Sequence, residues 1–114
     1  MVSILNSVKL MSGISPEVYE FHEVVFHINS VFGILTQLGI GPKEGFSIQD
    51  SLQTWDEFLE VSDHNSGIVK SYMYAKVRLL FDPPQNSFLV KALEDQITEF
   101  EWRLEFNGSL TNNP

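Results

Sequence analysis

The chain has 114 residues, 43 % hydrophobic and 19 % charged, a balance that suits one packed core and excludes a disordered acidic segment. Fifteen acids against seven bases give a net charge of −8, so the basic footprint of a protein that clamps nucleic acid or coats an anionic membrane is missing. The absence of cysteine excludes disulfides, thiolate nucleophiles and cysteine zinc sites together.

In chain order, Ile4, Leu5, Val8 and Met11 recur at helical spacing over residues 3–12, with Gly13 as the stop. Ser15-Pro16-Glu17 then reads as an N-cap, a first-position proline and the first of three acids near the positive end of a helix. Val18, Phe21, Val25, Ile28, Phe32 and Leu35 continue that helix, widened by Val24, Val31 and Leu38, until Gly39, Gly41 and Pro42 end it. Residues 40–54 are turn-rich, and the alternation of Phe46 and Ile48 suggests a short extended piece or hairpin arm. Thr54 and Glu57 match a capping box, which predicts one or two helical turns pinned to the core by Trp55, Phe58 and Leu59. Between Asp50 and Asp63 stand five acids and no Lys or Arg.

Residues 62–67 read as a linker. After them Ile68, Val69, Tyr72, Met73, Val77 and Leu80 mark a helix apolar around much of its circumference, which belongs in the centre of a bundle. It ends at Asp82, before Pro83 and Pro84, because a residue preceding proline avoids helical dihedrals. This corner fixes an angle between two helices, the second of which can start at Pro84 and carries the stripe Leu89, Leu93, Ile97, Phe100 and Leu104. The opposite face bears Glu94, Asp95, Glu99, Glu101 and Glu105 against only Lys91 and Arg103. The expected fold is therefore all-α: residues 1–114 form a single helical domain, a small bundle of about four main helices. A loop or short extended insertion at 40–54 lies between its second and third long helices, and a polar tail at 107–114 has Leu110 as its apolar anchor.

Chemistry finds little to work with. His22 and His27 are about 140° apart on a helix and cannot share a metal, whereas Glu23 and His27 suit a solvated pair on a polar face. "GIGPKEG" lacks the order of a phosphate-binding loop. Lys70, Lys76 and Arg78 fall on different sides of their helix, so no DNA-reading helix is evident. No catalytic residue, cofactor or metal ligand is assigned, and no stretch reaches the roughly 18 apolar residues of a membrane span. The chain reads as soluble and cytoplasmic.

"VKSYMYAKVRLLFDPP" and "EDQITEFEWRL", with "HINSVFGILTQLGIGPKEGFSI" upstream, resemble the head-tail connector, adaptor or head-completion proteins of tailed bacteriophages. The D-P-P corner and the E-W-R-L ending are the distinctive parts. The resemblance implies a helical, non-enzymatic virion protein. It would assemble in the host cytoplasm and form a ring, dodecameric to match the portal, that joins the capsid to the stopper or tail. DNA would pass through that ring without sequence-specific binding, and the C-terminal segment or an adjoining loop would dock onto the portal protein.

Two physical expectations accompany this resemblance. Glu94, Asp95, Glu99, Glu101 and Glu105 either line the channel, where like charge keeps DNA sliding, or form an ordinary solvated surface. Ring closure needs two different patches on each subunit. Lys70, Lys76 and Arg78 against the acids of 50–63 are one such pair, with Trp55, Phe58, Trp102 and Leu110 as candidate apolar anchors. The competing expectation is a small acidic protein, monomeric or dimeric, that mimics DNA and inhibits a basic partner.

Overall fold

A computed structural model describes residues 3–14, 21–60 and 62–112. Among these residues five helices follow in order: α1 Ile4–Met11, α2 Phe21–Gln37, α3 Trp55–Phe58, α4 Ser66–Phe81 and α5 Ser87–Asn112. There is no strand among the described residues, only an isolated bridge between Ser3 and Thr54. The fold is thus the expected all-α bundle. The cap expected at Ser15-Pro16-Glu17, along with Val18, lies outside the described residues, as do the side chains of Phe21 and Leu110.

α4 is the hub, packed against α1, α2 and α5. Its Val69, Tyr72, Met73 and Val77 are buried together with Ile4, Leu5 and Val8 of α1, and with Val24, Ile28, Val31, Phe32 and Leu35 of α2. The 3.6-residue period gathers these side chains on one stripe per helix, and burying the stripes removes their apolar surface from water. α5 contributes less, chiefly Ile97 and Leu104. With 26 residues at 1.5 Å each, it is about 39 Å long, comparable to the 44 Å long axis of the molecule.

Local chemistry explains the boundaries. Ser3 caps α1, its Oγ accepting the Asn6 amide at 3.2 Å, and Gly13 follows the helix with φ of +73°, a left-handed conformation in which glycine has no Cβ to clash. The residues 40–54 form a loop held by Asn29 of α2. The Ile48 amide donates to Asn29 Oδ1 at 2.7 Å, and Asn29 Nδ2 donates to the Ile48 carbonyl at 3.0 Å. That two-pronged clamp supplies the partners a strand ladder would have supplied. The capping box is present: Glu57 accepts the Thr54 amide at 3.2 Å.

Three expectations are corrected around α5 and α2. α5 starts at Ser87 rather than Pro84, because Asn86 Oδ1 accepts the amides of Phe88 at 2.8 Å and Leu89 at 3.4 Å and so satisfies the orphan donors of the first turn. The helix also continues to Asn112, through most of the segment expected as a polar tail. Asn107 Nδ2 there donates to Oδ1 of the buried Asn65 at 2.8 Å, tying the far part of α5 to the start of α4. His27, expected on a solvated polar face, is half-buried, with its ring edge-on to Phe26 and Phe81; Glu23 lies 3.7 Å away.

Candidate interaction surfaces

The seam between α4 and α5 holds one polar cluster inside an apolar contact. The Tyr72 hydroxyl donates to Glu101 Oε2 at 2.7 Å, and Lys76 Nζ lies 3.8 Å from the same oxygen. Burial first, then the hydrogen bond to Glu101 and its negative charge, push the Tyr72 phenol well above its ordinary value of 10.0. The folded protein therefore holds this proton where the unfolded chain has lost it. The resulting stability is fully present below about pH 10 and is lost as pH rises beyond it, with a slope approaching 1.4 kcal/mol per pH unit.

Tyr72→Phe should remove that alkaline slope and cost about 1–2 kcal/mol near neutrality through the lost hydrogen bond. Urea unfolding from pH 8 to pH 11.5 measures both. Equal alkaline slopes in wild type and variant would show that the phenol is not the titrating group.

The cluster also sorts the acidic residues of α5. Glu101 is turned to α4 and belongs to the seam, apart from the exposed face it was expected to share. Asp95 pairs with Lys91 at 3.5 Å, and Glu99 with Arg103 at 2.8 Å. Glu94 and Glu105 are exposed, and among the described residues neither has a cation within ion-pair distance. The net negative field of this helix thus rests on fewer carboxylates than its composition suggests.

Several residues expected at an interface lie elsewhere. Trp55 and Phe58 are 4 % and 3 % exposed, in the core and not on the surface. Trp55 Nε1 donates to Ser7 Oγ at 2.8 Å, and Phe58 packs on Phe32 and Phe46. A one-turn helix can put both rings inward because its capping box anchors it. Lys70 stands 6.0 Å over the Trp55 ring and Lys76 is taken by Glu101. Two of the three cations expected to meet a neighbour's acids are therefore engaged within the chain. Arg78 alone is exposed, with no carboxylate among the described residues in ion-pair range.

Along α5, two apolar surfaces stand open among the described residues. At the corner Asp82-Pro83-Pro84, a groove is lined by Arg78, Pro84, Leu89, Ala92, Leu93 and Gln96. Leu89 is 54 % exposed, and Phe88 beside it in the chain and Leu80 near the end of α4 are also exposed. Further along α5, Trp102 and Phe106 stack in nearly parallel fashion, centroids 6.0 Å apart, while 66 % and 54 % exposed. Trp102, expected as an apolar anchor, is exposed; Phe106 and the groove are not marked by the stripes read from the sequence. Their signal was an i, i+4 aromatic pair off the buried stripe and a second apolar ridge beside Leu89 and Leu93.

Among the described residues no group of three or more histidines and carboxylates could hold a metal, and no helix is long and apolar enough to cross a membrane. What the surface offers is contact area and charge. The phage connector protein family matches residues 4–109, nearly the whole chain, and this protein belongs to that family. No curated protein and no solved structure matches the chain. Family membership makes it a structural component of the phage particle that works against other head or tail proteins.

Proposed function

We propose that this chain is a non-enzymatic head-tail connector that forms a ring below the portal protein, prolongs the DNA channel and joins the capsid to the stopper or tail. The observation that carries the reading is the family match over residues 4–109. Open apolar patches on both halves of a long outer helix support it, since scattered apolar residues are ordinary on a monomer whereas clustered ones call for a partner. The channel face draws its repulsion from carboxylates that have no cation in ion-pair range among the described residues, Glu94 first among them. A dodecamer matches the portal, and assembly takes place in the host cytoplasm before the ring enters the virion.

The test is native mass spectrometry of the purified chain, alone and mixed with the cognate portal protein, followed by electron microscopy of any ring. A multi-subunit ring in either sample, with Glu94 facing its lumen, is the expected result. A ring with Glu94 on its outer surface would remove the channel assignment alone. A monomer that ignores portal and instead competes with DNA for a basic protein would replace the connector reading by the inhibitory mimic.

A further inference from the structure

We infer that the ring contact is made by the Trp102–Phe106 pair of one copy seated in the α4–α5 groove of the next, with Glu105 of the first copy against Arg78 of the second. This rests on the ring proposed above and names the two surfaces that build it.

Both halves of the contact stand open on each chain. The groove of Arg78, Pro84, Leu89, Ala92, Leu93 and Gln96 is apolar with one charged group on its wall. Lys70, Lys76, Lys91 and Arg103 each have a partner within the chain, whereas Arg78, in a protein with an excess of eight acids, has no carboxylate among the described residues in ion-pair range. The aromatic pair carries the complementary chemistry: two stacked, exposed rings to fill an apolar groove, and the neighbouring Glu105 to meet a guanidinium. Trp and Arg are the residue types that dominate interface energetics.

Geometry makes the contact intermolecular. The groove centres on Ala92 and the ring pair on the turn near residue 104, twelve residues apart on one uninterrupted helix, about 18 Å along its axis. The rings cannot fold back onto their own groove without breaking α5. The two patches also differ, so the contact is head-to-tail and leaves a free groove at one end and a free ring pair at the other, the arrangement that closes into rings.

The test uses the full chain, with sedimentation and native mass spectrometry reading assembly, alone and with portal. Trp102→Ala should weaken self-association by about 30-fold or more, and Arg78→Glu or Glu105→Arg alone by about tenfold, with most of the loss restored in the double variant Arg78→Glu/Glu105→Arg. All three side chains are exposed, and an unchanged circular dichroism spectrum verifies folding. Mixing Trp102→Ser with Leu89→Asp is the decisive arm. Each variant alone should be monomeric, while the mixture should give 1:1 dimers and nothing larger, because only one intact contact can form.

If Trp102→Ser abolishes assembly while Leu89→Asp has no effect, the ring pair meets itself and the contact inferred here is wrong. Variants that keep the wild-type ring but no longer bind portal would assign these surfaces to portal, again overturning this contact while leaving the connector reading intact. A wild-type chain that stays monomeric at every concentration, with and without portal, would overturn both.

Discussion

Phe32→Ala is expected to lower the unfolding free energy by about 3–5 kcal/mol. Phe32 is fully buried on α2, and its ring meets three others: Phe58 at 4.6 Å between centroids, Phe46 at 5.0 Å and Trp55 at 6.1 Å. These rings come from the loop and from α3, so Phe32 is the post on which the insertion between α2 and α4 is hung. Truncation removes the transfer free energy of the ring and leaves a cavity, because Phe58 and Trp55 are fixed by the α3 turn and by the Trp55–Ser7 hydrogen bond and cannot all collapse inward. Against a typical total of roughly 5–15 kcal/mol, the variant would be barely folded. Denaturant unfolding measures the loss, with Phe26→Ala, exposed on the same helix, expected to change stability by less than about 0.5 kcal/mol. A loss below about 1 kcal/mol for Phe32→Ala would mean that the aromatic cluster repacks freely and does not anchor the insertion.

The contrast between Phe32 and Phe58 shows what the sequence could carry. Phe32 falls on the stripe of Ile28, Val31 and Leu35, and a 17-residue helix repeats its period often enough to point the ring inward. Phe58 and Trp55 sit in a four-residue helix, which has no period to read, and their size and aromatic character suggested an interface as readily as a core. Only the tertiary partners, Ser7 and Phe32, settle their direction.

Charge is ambiguous in the sequence for a related reason. Glu101 groups with four other acids on α5, yet it borders the buried stripe beside Phe100 and Leu104, and whether a carboxylate there turns outward depends on what the facing helix offers. Tyr72 and Lys76 of α4 offer a donor and a cation. The start of α5 was ambiguous between Pro84 and Asn86, since both are good helix initiators, and the loop geometry chose the residue whose side chain reaches two amides. Residues 107–112 look like a tail because they are polar, but an existing helix propagates more easily than a new one nucleates, and Asn107 finds Asn65.

Gly41→Ala is the second substitution with a large expected effect, about 2–5 kcal/mol, and its cause differs from that of Phe32. Gly41 has φ of +85°, where any L side chain is strained by about 1–2 kcal/mol. A methyl group here would stand 2.4 Å from Cε1 and 2.7 Å from Cζ of Phe58. That ring is caught between Phe32 and Phe46 and cannot step aside without disturbing the cluster, so an overpacking cost of about 1–3 kcal/mol adds to the backbone strain. Gly45 separates the two terms. Its φ is +93°, yet a Cβ there would have only Thr36 Oγ1 within 4 Å, at 3.9 Å, and Gly45→Ala should therefore carry the backbone strain alone. The difference between the two variants, read from parallel denaturant curves, is the steric term at Phe58. Equal losses would show that the ring moves aside at little cost. A larger loss at Gly41 would show that the chain leaving α2 is packed against the aromatic post, which holds the insertion and its acids Asp56 and Glu57 in one place on the connector surface.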